Sequence, residues 1–275
     1  MDGTEECQSG TRGAPRAETS GGSHGAPPPE RPAAAGADGS VAGGAKRILI
    51  HSGGPLNALV WRVEAPDGAA WIEKDFSRAP LVVRATLGRM LVVREVRVLR
   101  RLAASGVVPG GVERISPYAL REDEVSGFAL RDSACGVYRG NSPDPSKARG
   151  IDVAEMSKLP PVGFFDAMEA GVRACHALGY VHLDLHNARN VMVAPGFRPV
   201  LLDWQSALPV RFMPRPIRRF LEKVDLGGVA KFRMKFHPET ASEADLRRAR
   251  RWSFLRRHFW FPRIRIRTKR KGAGA

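Results

Sequence analysis

The stretch "GYVHLDLHNARNVMV", residues 179–193, decides how this chain is interpreted, because it places polar groups between apolar ones. The helix-like segment "PVGFFDAMEAGVRACHALGY", residues 161–180, leads into it, and the apolar run from Val191 to Val193 leads out of it. Period-three and period-four spacing predicts the helix, and the short apolar run predicts a strand. The polar side chains on the loop between them are His182, Asp184, His186, Asn187 and Asn190. A loop of this composition between two buried elements indicates a functional site.

A second acidic group follows after one short hairpin. The segment "VMVAPGFRPVLL" predicts strand, turn and strand, and Asp203 stands directly after it in "LLDWQ". A carboxylate on the loop can accept the proton of a substrate hydroxyl, and Asn and Asp oxygens are ligands that Mg²⁺ prefers. These are the groups that phosphoryl transfer needs.

The N-terminal half places a lysine on a predicted strand and a glutamate on the predicted helix that follows. The segment "RILIHSGGPLNALVWRVEAPDGAAWIEKDF", residues 47–76, predicts three strands with turns at 52–54 and 65–68, and Lys74 lies on the third. Val92, Val96 and Leu99 predict a helix that ends at Gly106, with Glu95 near its buried stripe.

The order of elements predicts an α+β protein in two lobes. Strand-like material over 112–140, with polar breaks at 121–127, precedes the helical half. We expect residues 1–45, rich in Gly, Ala and Pro, to be a disordered tail, and residues 46–138 to form a small antiparallel-sheet lobe with one helix. Residues 139–240 form the mainly helical lobe in this interpretation, and 241–275 form a basic amphipathic segment.

In these motifs the chain resembles the protein-kinase-like superfamily, most of all the bacterial lipopolysaccharide core kinases that phosphorylate Kdo or heptose sugars. It is more distantly similar to RIO-type and aminoglycoside phosphotransferase kinases, whose "HxDLHxxN" loops share His186. The resemblance covers roughly residues 47–235 and implies an ATP-dependent, Mg²⁺-dependent phosphotransferase with a hydroxyl acceptor. The roles that it implies are a catalytic base at Asp184, ordering of the loop by His182, Mg²⁺ ligands at Asn190 and Asp203, phosphate binding by Lys74, pairing of Glu95 with Lys74, and support of the loop by Asp225.

The chain departs from the family pattern at three points. Asp184 and Asn190 are six positions apart instead of five, so either the loop holds one extra residue or Asn187 acts as an alternative ligand. Trp204 and Gln205 replace the Phe and Gly that usually follow the second Asp. Gly53 and Gly54 stand in for the glycine-rich loop over the phosphates.

The chain after Asp203 favours a small or surface-bound acceptor over a protein loop. Only 21 residues separate Asp203 from Asp225, which leaves little chain for a peptide-docking segment. Basic residues within this gap can grip an anionic sugar or glycolipid: Arg211, Arg215, Arg218, Arg219 and Lys223. We therefore expect a core sugar or a similar glycolipid as the acceptor.

Charge and composition bear on where the protein is located in the cell and on what it binds. The net charge is +16, and twelve Lys or Arg with no acid lie between Arg247 and Lys271. The segment 242–271, with a capping Ser242 and a rough apolar stripe, is compatible with an anionic membrane surface, with nucleic acid, or with a structural role. With neither a signal peptide nor a membrane span in the sequence, we expect a cytoplasmic protein with peripheral membrane contact as an option. Three cysteines without a CxxC pair argue against a disulfide framework and a zinc ribbon.

Three other interpretations stay open at this point. The protein could be a serine/threonine protein kinase of the RIO type, or a pseudokinase scaffold that binds RNA through its basic surface. If residues 182–186 are extended, His182, Asp184 and His186 point to one side and chelate zinc with Asp203, which would make a metallohydrolase.

Overall fold

A computed structural model of the chain describes residues 44–52, 58–133, 145–156 and 158–258, with side chains described up to residue 250. The N-terminal part is a five-stranded antiparallel sheet in the spatial order β1-β2-β3-β5-β4. Its strands are β1 (Lys46–Ser52), β2 (Leu59–Glu64), β3 (Ala70–Asp75), β4 (Glu113–Ser116) and β5 (Ala119–Asp123). The turn between β2 and β3 requires the left-handed backbone of Gly68, at φ +85°.

One long helix packs on this sheet. It begins as α1 (Leu81–Val83), passes through a π-helical turn (Arg84–Gly88), and continues as α2 (Arg89–Leu102). Val92, Val96 and Leu99 are buried as their spacing predicts, and Glu95 is buried among them. The helix therefore presents one carboxylate to an otherwise apolar interface.

The C-terminal part is mainly helical, with short strands around one loop. Its helices are α3 (Val153–Met156), α4 (Val162–Ala177), α5 (Arg215–Phe236) and α6 (Glu243–His258). Its strands are β6 (Phe128–Ala129), β7 (Tyr180–Val181), β8 (Val191–Ala194), β9 (Arg198–Leu201) and β10 (Leu208–Pro209). β7 and β8 flank the polar loop, and β9 pairs with β8 before leading to Asp203.

The core of this part lies beneath the loop. Phe164, Phe165 and Met168 of α4 pack there with Trp204 and Phe232. Each large apolar side chain buried in this way stabilises the fold by about 1.5–3 kcal/mol. The predicted α+β organisation, with a small antiparallel sheet and one helix followed by a mainly helical part, is confirmed.

The polar break predicted at 121–127 is wrong at its beginning. Arg121, Glu122 and Asp123 belong to β5, and Arg121 and Glu122 are buried. The strand tolerates these charges because they have partners: Glu122 lies beside Lys74, and Arg121 pairs with Glu113 on β4. Partnered charges inside a sheet look like a loop when only the sequence is considered.

The C-terminal helix α6 starts with a capping box. The Ser242 hydroxyl accepts a hydrogen bond from the Asp245 N–H at 3.1 Å, and the Asp245 carboxylate accepts one from the Ser242 N–H at 3.1 Å. α6 packs on α5, and Arg248 pairs with Glu169 of α4 at 3.4 Å. The predicted apolar stripe lies largely outside the described side chains.

Within the described residues, no helix combines the length and apolar character needed to cross a bilayer.

Candidate active site

Asp225 on α5 holds the polar loop from behind. Its carboxylate accepts hydrogen bonds from the backbone N–H groups of His182, at 2.8 Å, and Leu183, at 2.7 Å. The Nε2 atom of His176 on α4 lies 3.0 Å from the same carboxylate. Asp225 is buried, and charge-assisted bonds of this kind are about twice as strong as neutral ones. The loop is therefore fixed to two helices before Asp184 is reached.

The backbone is strained at two positions next to the acidic groups. Leu183 has φ +67° and Asp203 has φ +60°, a region that non-glycine residues rarely adopt. Such conformations cost of order 1–3 kcal/mol each and persist only where neighbouring contacts impose them. At Leu183 the bond to Asp225 is such a contact. The side chain of Asp184, directly after Leu183, is 33 % exposed.

His182 joins the loop to the strand that carries Asp203. Its Nε2 atom lies 2.9 Å from the carbonyl oxygen of Leu202, and its Nδ1 atom accepts a hydrogen bond from the Asp184 N–H at 3.2 Å. The ring packs against that of Trp204, the residue after Asp203, with 4.5 Å between the ring centroids and an interplanar angle of 57°. His182 thus fixes the two acidic segments against each other.

Asn190 returns to Asp184 despite the six-position step. Its side-chain amide donates to the Asp184 carboxylate at 2.8 Å and to the Asp184 carbonyl at 3.1 Å. Two successive turns take up the additional residue, because the Asn187 N–H donates to the Asp184 carbonyl and the Asn190 N–H donates to the Asn187 carbonyl. The Asn187 amide in turn donates to the Asn190 Oδ1 atom at 3.3 Å. Asn187 and Asn190 therefore act as a pair.

The ammonium group of Lys74 contacts two carboxylates, whereas the sequence predicts a contact with one. Its Nζ atom is 2.5 Å from Glu95 on α2 and 3.1 Å from Glu122 on β5. Sequence reasoning missed Glu122. The strand register explains its position: Lys74 pairs with Leu120, so Glu122, two residues on, lies on the same side of the sheet.

The charges of this cluster shift two pKa values. Burial acts to lower the pKa of Lys74, but the negative charges of Glu122, Glu95 and Asp203 outweigh it, so the pKa is raised. Burial raises the pKa of Glu95, and the charges of Glu122 and Asp203 act in the same direction, against the ammonium group of Lys74. Asp203 is thus near enough to the Lys74–Glu95 pair to act on both groups. The structure brings residues from both halves of the chain into one electrostatic environment.

A direct contact also joins the two halves. The guanidinium of Arg94, next to Glu95 on α2, donates a hydrogen bond to the carbonyl oxygen of Ala207. Ala207 follows Asp203 by four residues, in the segment that includes the one-turn helix Trp204–Ser206. The helix that carries Glu95 and the segment that carries Asp203 are therefore in contact.

The geometry argues against the zinc interpretation of His182, Asp184 and His186. The segment is not extended, because Leu183 is left-handed and Leu185–His186 lie in a turn, so the three side chains do not share one side. Both ring nitrogens of His182 are engaged by the backbone, while His186 lies 3.3 Å from the Asp184 carboxylate. Among the described residues, no three His, Cys, Asp or Glu side chains are arranged to hold a metal ion.

The predicted glycine-rich loop over the phosphates, Gly53 and Gly54, lies outside the described residues.

Comparison with known proteins gives a structural likeness and no family assignment. No protein-family model and no curated protein matches the sequence. Among solved structures, the chain is similar to the Rio2 kinase of Chaetomium thermophilum, crystallised as an ADP/Mg²⁺-phosphoaspartate complex, with 16 % sequence identity and a TM-score of 0.47. The similarity covers 70 % of this chain and 56 % of the Rio2 chain, so this chain spans little more than half of that structure.

Proposed function

We propose that this protein is a phosphotransferase that moves the γ-phosphate of ATP to a hydroxyl group. The observation that carries the proposal is the shared environment of Lys74, Glu95 and Asp203, next to a loop on which Asn190 contacts Asp184. A buried lysine, an acid that holds it, a second acid and a partly exposed carboxylate are the parts that phosphoryl transfer requires.

Each residue has a role in this proposal. Asp184 accepts the proton of the acceptor hydroxyl, since its carboxylate lies on the loop with 33 % of the side chain exposed. Lys74, kept charged by its neighbours, neutralises the phosphates, and Glu95 positions it. His182 and Asp225 keep the loop in place through the contacts described above.

The residues present fit a magnesium ion. The carboxylate of Asp203 and the amide oxygen of Asn190, with Asn187 as the neighbouring alternative, are hard oxygen donors. Mg²⁺ usually keeps several waters and takes only one or two ligands from the protein, so this pair suffices. When bound, the ion supplies positive charge at the phosphate oxygens.

A sugar or glycolipid, such as a lipopolysaccharide core sugar, is the proposed acceptor. Support comes from the short connection after Asp203, since α5 begins at Arg215 and leaves eleven residues between them. Arg211, Arg215 and Arg219 are exposed and can meet an anionic acceptor, whereas Arg218 is held by Glu222 at 2.7 Å. Contact of the basic segment 242–271 with an anionic membrane belongs to the same proposal, and places the protein at a cytoplasmic surface.

Three substitutions test the reaction. Asp184→Ala and Asp203→Asn should each lower phosphate transfer from labelled ATP by about 10²–10⁴-fold, since they remove the base and a metal ligand. Lys74→Ala should weaken ATP use by a similar factor through lost charge neutralisation. The assay offers core sugars, glycolipids and a generic protein as acceptors. The matched control is Asp166→Asn, which removes a carboxylate of 60 % exposure on α4.

The acceptors and the variants separate the alternatives. Transfer to the protein alone would favour a protein kinase over a sugar kinase. Retained transfer in Asp203→Asn would contradict the metal-ligand role. No transfer to any acceptor, together with salt-sensitive RNA binding that survives Asp184→Ala, would favour a pseudokinase scaffold.

A further inference from the structure

The start of α5 exposes large apolar side chains to solvent. Phe212 is 93 % exposed, Ile217 50 % and Phe220 45 %. All three lie within nine residues of one another, around the first turns of α5 (Arg215–Phe236). Single exposed apolar residues are ordinary, but a group of them in one segment marks an interaction surface.

Two of these side chains lie on the side of α5 that faces the active-site loop. Ile217, Phe220, Val224, Gly228 and Lys231 recur at spacings of three and four, so they share one side of the helix. At Gly228 a Cβ atom would lie only 3.1 Å from the backbone of Leu185, and the Lys231 ammonium donates to the His186 carbonyl at 2.9 Å. The exposed apolar side chains therefore continue the side that holds the loop.

Positive charge surrounds the apolar group. Arg211, Arg215, Arg219 and Lys223 are exposed, and the guanidinium of Arg211 lies 5.8 Å from the ring centroid of Phe212. The segment 207–224 contains one acid, Glu222, which is held by Arg218. We call the segment 211–224 the α5 surface.

We infer that the α5 surface docks on an anionic lipid bilayer. Phenylalanine and isoleucine side chains with this exposure insert at the headgroup boundary, while arginine and lysine around them contact anionic headgroups. Charge complementarity selects anionic over neutral lipid. An aliphatic residue, Ile217, at the centre of the surface suits acyl chains better than the stacking that nucleic-acid bases require. Docking would turn the loop that carries Asp184 toward the membrane plane.

Vesicle binding of the full chain, measured without nucleotide, tests the inference. Sedimentation with phosphatidylcholine vesicles that contain about a quarter phosphatidylglycerol should recover the protein, and pure phosphatidylcholine should recover about tenfold less. The variant Phe212→Ser/Ile217→Ser/Phe220→Ser should bind anionic vesicles at least about tenfold more weakly. Because each of these side chains is at least 45 % exposed, the variant should stay folded, which circular dichroism can check.

A matched control and a charge variant locate the surface. Leu81→Ser/Val82→Ser removes side chains of 68 % and 74 % exposure on α1 and should leave vesicle binding unchanged. Arg215→Gln/Arg219→Gln/Lys223→Gln should weaken binding to anionic vesicles by about tenfold or more and remove most of its dependence on salt.

Other outcomes would overturn the inference. Equal losses in the α1 control would show that the α5 surface is not the docking site. A dimer in sedimentation velocity that the triple Ser variant converts to a monomer, without vesicle binding, would assign the surface to a second copy of the chain. Vesicle binding without phosphate transfer would contradict only the proposed function, and transfer without vesicle binding would contradict only this inference.

Discussion

Lys74 is surrounded by more negative charge than one ion pair supplies. Glu95 and Glu122 both contact its ammonium group, and Asp203 acts on it from the other half of the chain. Within the described part of the chain, the Oε2 atom of Glu122 is buried without a hydrogen-bond partner. Glu122 therefore adds a buried charge near the place where we propose that the phosphates bind.

Removing this charge should strengthen ATP binding. Glu122→Gln keeps the size of the side chain and leaves Lys74 with Glu95, so we expect the dissociation constant for ATP to fall by about three- to tenfold through lost repulsion. Isothermal titration calorimetry measures it, with Glu113→Gln on the neighbouring strand as the control. Weaker binding in Glu122→Gln would instead mean that Lys74 needs Glu122 to hold its position.

The sequence predicts some of these residues better than others. The resemblance to kinases implied the pairing of Lys74 with Glu95, and the 2.5 Å contact agrees with it. Glu122 could not be predicted, since Arg121–Asp123 has the composition of a loop. The proximity of Asp203 to Lys74 depends on how the two halves pack, which spacing along the chain does not encode.

Among the elements, α5 determines the position of the polar loop. Asp225, Gly228 and Lys231 follow one another at intervals of three. Asp225 contacts the start of the loop, and Gly228 and Lys231 approach its middle, at Leu185 and His186. The sequence indicated support by Asp225, but the role of Gly228 depends on a close approach of two backbones. Such an approach becomes visible only when the helix is placed against the loop.

Gly228→Ala should therefore displace the loop. A Cβ atom there would lie 3.1–3.2 Å from Leu185 and His186, and backbone atoms cannot move aside as a flexible side chain can. We expect a loss of about 1–3 kcal/mol of unfolding free energy and a fall in phosphate transfer. Urea unfolding measures the first quantity.

Gly163→Ala on α4 is the matched control for this prediction. A Cβ atom at Gly163 meets nothing within 4 Å, so the change should be neutral or should stabilise the helix by up to about 1 kcal/mol. Equal effects of the two substitutions would show that α5 does not press on the loop.

At the scale of the whole molecule, Cys175 makes stability sensitive to alkaline pH. It is buried in the core of the helical part, and burial raises the pKa of its thiol to about 11 from an ordinary value of 9.0. Below about pH 9 neither the folded nor the unfolded state ionises this thiol. Between about pH 9 and pH 11 only the unfolded state gains the thiolate, so stability falls as pH rises.

The expected loss from this thiol is about 2–3 kcal/mol of unfolding free energy across that range. Urea unfolding at about pH 8 and about pH 11 measures it, and Cys175→Ala, which lacks the thiol, should lose correspondingly less. The other two cysteines are present in both proteins and cancel in the comparison. Identical pH dependence in the two proteins would contradict the burial of an un-ionised thiol.

The bond from Arg94 to the Ala207 carbonyl has a consequence for how the two halves can diverge during evolution. Every residue type provides a main-chain oxygen at position 207, so mutation there leaves the acceptor in place. The donor is constrained, because position 94 on α2 must hold a long, positively charged side chain. Sequence drift on the helical half is therefore tolerated at this junction, whereas drift on the sheet half is constrained at one residue. A chimaera that receives the sheet half from a distant homologue would keep the junction only if that homologue has an arginine or a lysine at the equivalent position.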